Sequence, residues 1–279
     1  MYKILDKKRL NPQMTFMKVE APHVIKNVRP GQFIVLKIGE KGERIPLTVV
    51  ESDGEKGAIS LIFQEVGKTT KELAAMKTGE AISDVIGPLG KPTHIEDFGR
   101  IICVGGGVGT AEIYPVAKAF KAAGNEITSI LGARDKGLLL FVHEMKRLSS
   151  GFYVTTDDGS AGRKGLVTDV LNELLAKEKY DLVYAVGPIL MMRAVADATR
   201  SHNTKTVVSL NANMVDATGM CGTCRVSVGG ETKFTCVHGP EFDAHKIDFT
   251  EFINRDRRFK DKEQESLKSY EETECGCKG

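Results

Sequence analysis

The spacing of hydrophobic and polar positions changes near residue 97. Before that point, short runs rich in Val, Ile, Phe and Thr are separated by turn residues such as Pro30-Gly31 and Asp53-Gly54. The runs are TFMKVEAP, GQFIVLKIG, IPLTVVESD and GAISLIFQEVG. Several short strands in close succession predict a small barrel or sandwich over residues 1–97. The segment KTTKELAAMKTGE interrupts this pattern and predicts a short helix.

From Arg100 onward, hydrophobic runs alternate with amphipathic segments. The predicted strands are RIICVGGG, EITSILGAR, GFYVTTDDG, YDLVYAVGP and TKTVVSLNANM, with helical segments between them. This alternation predicts a doubly wound parallel sheet over residues 98–210. Cys103 lies in the first run, and we expect it to be buried. Pro115 lies in the first predicted helix, and we expect it near the first turn because proline disrupts a helix interior.

A cysteine-rich segment covers residues 211–260, and a polar tail covers residues 261–279. Cys221, Cys224 and Cys236 have the spacing C-x2-C-x11-C. Cysteines spaced this closely in a cytosolic chain are more often metal or redox ligands than disulfide partners. Their spacing looks like that of a metal or cluster site with one ligand missing. The charged tail is expected on the surface, against a partner or in solvent.

Composition narrows the class of protein. The 279 residues carry a net charge of +2, and no basic stripe interleaved with aromatic residues occurs, which argues against nucleic-acid binding. Hydrophobic residues make up 41% and charged residues 27%, an ordinary globular balance. The N-terminal segment lacks an apolar core, and no apolar run reaches about 18 residues. We therefore expect a soluble, cytoplasmic protein without a membrane segment.

A glycine-rich turn follows the first strand of the predicted parallel sheet, in ICVGGGVGTAEIYP. Glycines let the backbone approach a pyrophosphate, and the N-terminus of the following helix offers unpaired N–H groups. The match to G-x-G-x-x-G is imperfect because Thr110 stands at the third glycine position. The turn predicts nucleotide binding by Gly105, Gly106, Gly107, Gly109 and Thr110.

Three other segments follow predicted strands of the sheet, where open α/β sheets bind ligands. In LGARDK, Arg134 favours a 2′-phosphate and Asp135 a 2′-hydroxyl, so NADH and NADPH both stay open. The other two segments, TDDGSAGRKG and AVGPILMM, are equally consistent with ordinary loops. Their candidate contacts are Asp157, Asp158, Gly187, Pro188 and Met191.

Two segments of the predicted barrel suit phosphate binding. Arg44 in RIPLTVV can pair with a phosphate in bidentate fashion. In VGKTTKEL, Gly67 and the hydroxyls of Thr69 and Thr70 precede a helix, another arrangement that binds anions. A surface arginine and a helix cap would give the same patterns.

Taken together, these segments resemble the ferredoxin reductase superfamily, in which a flavin-binding barrel precedes a nicotinamide-binding α/β domain. The superfamily's R-x-[YFP]-[ST]-like barrel motif corresponds here to the stretch Arg44–Thr48. The closer resemblance is to chains with a cysteine-rich lobe after the nicotinamide domain. These are the electron-transfer subunit of dihydroorotate dehydrogenase and the small subunits of NADH-dependent ferredoxin:NADP+ oxidoreductase and sulfide dehydrogenase. This resemblance extends from about residue 1 to about residue 260.

The resemblance implies FAD, NAD(H) and a [2Fe–2S] cluster as cofactors. It places Thr48 near the flavin N5 as the catalytic residue, and it puts Val186 where many relatives have a cysteine before Gly-Pro. The implied flavin contacts are Arg44, Ile45, Pro46, Leu47, Thr48, Gly67, Thr69 and Thr70.

The resemblance also implies a fourth cluster ligand. Asp216 stands five residues before Cys221, where the bifurcating oxidoreductase has an aspartate and the dihydroorotate dehydrogenase subunit has a cysteine. The implied ligands are Asp216, Cys221, Cys224 and Cys236. His238, Cys275 and Cys277 compete for the fourth position, and a zinc site is the alternative to a cluster.

The implied function is hydride exchange between NAD(H) and FAD, with single electrons passing through the cluster to a partner. That partner is a larger glutamate-synthase-like subunit with a second flavin and [4Fe–4S] clusters, which in turn serves ferredoxin in a bifurcating enzyme. The alternatives are the electron-transfer subunit of dihydroorotate dehydrogenase or of sulfide dehydrogenase, and a non-catalytic subunit with a structural zinc lobe.

Overall fold

The computed structural model describes residues 1–40 and 42–276. The N-terminal part consists of short antiparallel strands with two helices among them. Its elements are β1 (Tyr2–Asn11), β2 (Met14–Glu20), α1 (Pro22–Ile25), β3 (Phe33–Lys37), β4 (Arg44–Thr48), β5 (Glu51–Asp53), β6 (Ala58–Gln64), α2 (Lys68–Ala75), β7 (Ala81–Ile82) and β8 (Asp84–Leu89).

Two sheets pack face to face in this barrel-like unit, with strand orders β5-β6-β2-β1-β7 and β4-β3-β8. Their inner faces share one core, to which Met17, Ile34 and Leu61 contribute fully buried side chains. The predicted run IPLTVVESD forms two strands, because β4 pairs with β3 whereas β5 pairs with β6. β1 was not predicted, since it is mostly polar and buries little besides Ile4.

The second part alternates strands and helices as the sequence predicts. Its elements are β9 (Arg100–Gly106), α3 (Gly109–Ala122), β10 (Glu126–Ala133), α4 (Val142–Leu148), β11 (Gly151–Thr156), β12 (Arg163–Lys164), α5 (Val167–Lys177), β13 (Leu182–Val186), α6 (Ile189–Arg200) and β14 (Thr206–Ser209). The described strands form one parallel sheet in the order β12-β11-β10-β9-β13-β14.

Both faces of this sheet are covered, which explains its continuous hydrophobic runs. Cys103 packs towards α3 and α4, whereas Val104 packs towards α5 and α6. Cys103 is fully buried as expected, and burial raises the pKa of its thiol to about 12. The expected place of Pro115 was wrong, because it lies in the second turn of α3, inside the helix.

The cysteine-rich segment folds as a small lobe. Its elements are β15 (Arg225–Val228), β16 (Glu231–Phe234), α7 (Thr235–His238), β17 (Glu241–Asp243), α8 (Phe249–Asp256) and α9 (Lys260–Gly276). β15 and β16 form a hairpin, whereas β17 joins the large sheet antiparallel to β14. The polar tail is therefore helical along much of its length. α9 contacts α2 of the barrel, with an ion pair between Lys71 and Glu271.

Glu241 of β17 connects the three parts of the chain. Its carboxylate accepts the hydroxyl of Thr93, in the segment between barrel and sheet, at 2.5 Å. It also accepts the phenol O–H of Tyr184, on β13, at 2.6 Å. Gly31, from the barrel, approaches so closely that a Cβ there would lie 2.5 Å from the carboxylate. Barrel, sheet and lobe therefore converge on one half-buried carboxyl group.

A second junction joins the barrel to the α/β domain through apolar contacts. Met14, Val50 and Ile62 of the barrel share a buried cluster with Ala111 of α3 and with Leu138. Because Val50 follows β4 and Ala111 lies in the first turn of α3, this cluster brings the end of β4 to the start of α3.

Replacing Gly31 by alanine is expected to destabilise the junction at Glu241. Gly31 has φ +82°, which disfavours any side chain, and the added Cβ would collide with Thr93. We expect the free energy of unfolding to fall by about 1–3 kcal/mol. Chemical denaturation measures this change. Gly54→Ala is the matched control, since no atom lies within 4 Å of its added Cβ, and an equal effect in both variants would contradict the prediction.

Replacing Glu241 by glutamine is expected to change how stability depends on pH. Burial raises the pKa of Glu241, and the hydrogen bonds from Thr93 and Tyr184 oppose that rise. A carboxyl with a raised pKa stabilises the fold fully below its ordinary pKa of 4.5, and that contribution is lost as the pH rises through the folded value. The amide oxygen still accepts both hydroxyls but does not ionise. The stability of Glu241→Gln relative to wild type should therefore increase as the pH rises above 4.5. Thermal unfolding at several pH values measures it, and a constant difference would refute the assignment.

Candidate functional site

The first candidate site lies where the strand order of the parallel sheet reverses. β10 and β11 follow on one side of β9, and β13 and β14 lie on the other. Open α/β sheets bind ligands at such a reversal, beyond the carboxyl ends of the strands. The chain leaves β9 through the glycine-rich turn and leaves β13 through Gly187-Pro188. Two of the predicted nucleotide segments therefore meet at this point.

The two segments pack against each other without room for a side chain. A Cβ at Gly109 would lie 2.5 Å from the carbonyl oxygen of Val186. One at Gly106 would collide with the Met191 sulfur and lie 3.1 Å from Pro188. Val186 is buried and fills this position with an apolar side chain. Glycine at 106 and 109 is therefore required by the contact between the two turns.

The outer side of the glycine-rich turn is open. Gly107 has φ +57°, and no atom lies within 4 Å of a Cβ built there. Its N–H donates to the carbonyl of Gly132 at 2.8 Å, which holds the turn against the end of β10. Thr110 is buried beneath the turn and packs against Gly105. The turn thus presents backbone to a ligand at the N-terminus of α3, as pyrophosphate binding needs.

The aspartates beyond β10 and β11 have local partners. Asp158 accepts the backbone N–H of Ser160 at 2.9 Å and its hydroxyl at 2.7 Å. Asp135 accepts the N–H of Gly137 at 2.8 Å. Both carboxylates thus stabilise their own turns, and Asp157 is exposed beside them. Their structural role is visible, whereas contact with a nucleotide stays a prediction.

Arg134 lies at the same edge of the sheet and is exposed. Its guanidinium reaches across to the barrel, where it donates to the side-chain oxygen of Gln13 at 3.4 Å. A long contact of this kind leaves most of the guanidinium's donors free, so Arg134 can still meet an anionic ligand.

The barrel brings its two candidate phosphate segments together. The Thr69 hydroxyl donates to the carboxylate of Glu43 at 3.1 Å, which ties the first turn of α2 to the start of β4. The Thr70 hydroxyl accepts the N–H of Gly67 at 3.0 Å. Arg44 is exposed on β4 beside them. Both hydroxyls have protein partners, so the donors left for a phosphate are backbone N–H groups of the first turn and Arg44.

Glu112 was missed by the sequence analysis and lies at the junction of barrel and sheet. It occupies the first turn of α3, and its half-buried carboxyl lies near the hydroxyl of Thr48 at the end of β4. Burial raises the pKa of Glu112 to about 7, and the nearby Thr48 hydroxyl opposes the rise. The sequence feature that could have revealed Glu112 is an acidic residue in the first turn of the helix that follows a predicted nucleotide-binding loop.

The cysteine lobe is the third candidate site, after the nucleotide turns of the sheet and the phosphate segments of the barrel. Cys224 and Cys236 are buried with their sulfur atoms 3.3 Å apart. Burial and the neighbouring Cys224 thiol raise the pKa of Cys236 to about 12. The Cys224 carbonyl accepts the hydroxyl of Thr235 at 2.8 Å, which fixes the two cysteine-bearing segments against each other. Two of the predicted ligands are therefore adjacent.

The other two predicted ligands share one exposed loop. Asp216 accepts the backbone N–H groups of Thr218 at 2.9 Å and of Cys221 at 2.8 Å. The bond from Thr218 lowers the pKa of Asp216 most. Burial opposes ionisation of Cys221, but hydrogen bonds from Thr223 outweigh it and lower its pKa. Both groups thus favour the ionised forms that iron and zinc bind.

Among the described residues, no three His, Cys, Asp or Glu side chains stand in a preformed metal site. The structure brings Cys224 to Cys236 and Asp216 to Cys221, and the donor set fits a cluster chemically. His238 has other partners, since its Nδ1 accepts the N–H of Phe234 at 2.9 Å. Cys277 and the side chain of Cys275 lie outside the described part of the chain.

Comparison with known families identifies two of the three parts. The model of an oxidoreductase NAD-binding domain matches residues 103–197. The model of the iron–sulfur cluster binding domain of dihydroorotate dehydrogenase B matches residues 211–248. These ranges contain the glycine-rich turn and the four predicted cluster ligands.

Full-length relatives decide the family. The electron-transfer subunit homologue of dihydroorotate dehydrogenase B (NAD+) from Thermotoga maritima is 48% identical and aligns over 91% of this chain and 90% of its own length. The chain belongs to the family of dihydroorotate dehydrogenase B electron-transfer subunits and their homologues. A probable subunit of this family from Methanopyrus kandleri is 36% identical over 81% of the chain and 84% of its own length.

Solved structures agree with this family. A chain from the structure of NADH-dependent reduced ferredoxin-NADP oxidoreductase superposes with a TM-score of 0.91 and is 46% identical. The match covers 97% of this electron-transfer subunit homologue and 98% of that chain. A cytochrome P450 reductase from Amycolatopsis, with 20% identity and a TM-score of 0.61 over 72% of this chain and 65% of its own, shares the fold alone.

The family confirms the predicted fold class of flavin-type barrel, nicotinamide-binding α/β domain and iron–sulfur lobe. It also confirms an oxidoreductase subunit that uses NAD, an iron–sulfur cluster and the FAD-type barrel of ferredoxin reductases. In the part of the chain that the structure describes, no helix is long and apolar enough to cross a membrane.

Replacing Gly109 by alanine is expected to weaken NADH binding. The added Cβ would meet the backbone of Val186 and Gly187, at 2.5 and 2.9 Å, and force the two turns of the nucleotide site apart. We expect the dissociation constant for NADH to rise at least about tenfold, which corresponds to about 1.4 kcal/mol. Calorimetric titration with NADH measures it. Gly54→Ala should bind like wild type, and unchanged binding by Gly109→Ala would show that this contact does not shape the site.

Proposed function

We propose that this chain is the NAD(H)-side subunit of an electron-bifurcating NADH-dependent ferredoxin:NADP+ oxidoreductase. The observation that carries the proposal is the end-to-end match, at 46% identity, to a chain of such an enzyme. The match covers 97% of this chain and 98% of the other, so neither chain has a sizeable segment without a counterpart in the other. The presence of Asp216, where the dihydroorotate dehydrogenase subunit type has a cysteine, supports the same assignment.

In this proposal the chain binds its cofactors with the residues predicted from the sequence. The glycine-rich turn and Gly187-Pro188 hold NAD(H), with NAD(H) favoured over NADP(H). β4 and the first turn of α2 hold FAD, and Thr48 offers its hydroxyl beside the flavin N5. The bound FAD supplies the exchange between a hydride and single electrons. The chain's own groups orient the two rings and exclude water at the junction of barrel and sheet.

The proposed cluster ligands are Asp216, Cys221, Cys224 and Cys236. They hold a [2Fe–2S] cluster whose iron atoms meet unlike ligands. A carboxylate is a harder ligand than a thiolate, so Asp216 changes the reduction potential of the iron that it binds. β3, which pairs with the proposed flavin strand β4, contributes Phe33 to the same core as Cys224. Flavin and cluster sites thus lie on one continuous body.

The partner in this proposal is the larger glutamate-synthase-like subunit, with a second flavin and [4Fe–4S] clusters, through which ferredoxin exchanges electrons. Relatives are named as subunits that transfer electrons, which supports a larger partner. Val215 and Met220 are 55% and 88% exposed beside Asp216 and Cys221, and such apolar exposure suits a docking surface. An electron-transfer subunit of dihydroorotate dehydrogenase is the second candidate, favoured by the names of the relatives.

Electron paramagnetic resonance on the anaerobically purified chain tests the proposal. Addition of NADH should produce a rhombic S = 1/2 signal, because NADH, flavin and a [2Fe–2S] cluster are connected in series. Replacing Asp216 by cysteine should shift its g values, because a thiolate then replaces the carboxylate on one iron. Iron and sulfide should be present in equal amounts.

A matched control is Asp243→Asn, which lies in the same lobe outside the ligand set and should leave the g values unchanged. Zinc in place of iron, with no signal even after dithionite, would contradict the cluster and leave the structural zinc lobe. Unshifted g values in Asp216→Cys would exclude Asp216 as a ligand. Oxidation of dihydroorotate coupled to reduction of NAD+ in the complex, with no transfer between NADH and NADP+, would favour dihydroorotate dehydrogenase. Polysulfide reduction would favour sulfide dehydrogenase.

A further inference from the structure

One arginine of the cysteine lobe carries a buried donor that the protein does not satisfy. Arg255 lies in the last turn of α8, and its Nη2 donates to the backbone carbonyl of Thr223 at 3.3 Å. Thr223 stands in the loop between Cys221 and Cys224. In the part of the chain that the structure describes, the Nε–H of Arg255 is buried and meets no acceptor. Native proteins rarely leave a buried N–H unpaired, so this donor calls for an acceptor beside the cysteine loop.

The packing of α8 directs Arg255 towards that loop. Phe249, Phe252 and Arg255 follow one another at intervals of three residues, which places them along one side of the helix. Phe249 and Phe252 are buried in the same core as Cys224 and Cys236. The aromatic side chains therefore hold α8 against the buried cysteines, and the guanidinium is positioned by packing at the edge of the proposed cluster site.

A second arginine lies against the same loop. A Cβ built at Gly222 would lie 3.7 Å from Nη1 of Arg225, and the Arg225 N–H donates to the Gly222 carbonyl at 3.4 Å. Burial and the guanidinium groups of Arg225 and Arg258 lower the pKa of Arg255, and the nearby Glu251 does not outweigh them. Arginine nevertheless keeps its charge at neutral pH. The loop is thus flanked by positive charge that a single carboxylate does not neutralise.

We propose that the Nε–H of Arg255 donates a hydrogen bond to a sulfur atom of the proposed cluster site and that Arg255 thereby raises the reduction potential of the [2Fe–2S] cluster. Four anionic ligands surround that site, and reduction adds one more negative charge. A positive charge and a hydrogen bond to sulfur stabilise the reduced form more than the oxidised form. The inference rests on the proposed function, because it requires Asp216, Cys221, Cys224 and Cys236 to hold a cluster.

A redox titration of the full chain, followed by electron paramagnetic resonance, tests the effect on the potential. In Arg255→Gln the equilibrium constant for one-electron reduction of the cluster should fall roughly tenfold, which corresponds to a potential lower by about 59 mV. Arg257→Gln is the matched control, since it removes the same charge from an exposed side chain two residues away. Its potential should equal that of wild type. An equal shift in both variants, or no shift in Arg255→Gln, would overturn the inference.

A spectroscopic measurement tests the hydrogen bond itself. The protein is labelled with ¹⁵N in its arginine side chains, and the dithionite-reduced cluster is examined by pulsed electron paramagnetic resonance. Wild type should show a ¹⁵N coupling that disappears in Arg255→Lys, which keeps the charge but has no Nε–H. The potential of Arg255→Lys should lie between those of wild type and Arg255→Gln.

The labelled wild type tests the inference even if the variants do not fold. A reduced cluster without a ¹⁵N coupling would show that no arginine donates to its sulfur atoms and would overturn the hydrogen bond. A coupling that persists in Arg255→Lys would belong to another arginine and would overturn the assignment to Arg255. If wild type gave no [2Fe–2S] signal after dithionite, the proposed function would fail first, and the two failures are thereby distinguished.

Discussion

The arrangement of the three parts depends on one half-buried carboxyl group. Glu241 belongs to the lobe by sequence, yet its strand, β17, is the edge strand of the nucleotide-binding sheet. Its carboxyl accepts hydrogen bonds from the hydroxyls of Thr93 and Tyr184. A buried charge costs several kcal/mol unless its hydrogen bonds are satisfied. The carboxylate is therefore favourable only when all three parts stand in the native arrangement, with Gly31 leaving room for it. If the segment of Thr93 or the strand of Tyr184 were displaced, the Glu241 carboxyl would lose one of its two hydrogen-bond donors.

The sequence was informative wherever a local pattern decides the structure. Strand–helix alternation from Arg100 predicted the parallel sheet, and the glycine-rich turn predicted as a nucleotide site lies where the strand order reverses. It failed where pairing or packing decides and the local pattern of hydrophobic residues does not show it. β1 is too polar to signal a strand and forms because β2 supplies its hydrogen bonds. Pro115 stays inside α3 because the helix is packed against the sheet. Neither Glu112 nor Glu241 carries a motif, since their partners come from other parts of the chain.

The cysteine lobe has one buried half and one exposed half. Cys224 and Cys236 are buried against the core that continues into the sheet and β3, whereas Cys221 and Asp216 lie in an exposed loop. β17 fixes the lobe to the sheet that carries the nucleotide turns. Under the proposed assignment, a partner approaches the cluster site from the exposed loop of Asp216 and Cys221. The carboxylate that would distinguish this chain from the four-cysteine type then lies on the side of the site that faces the partner.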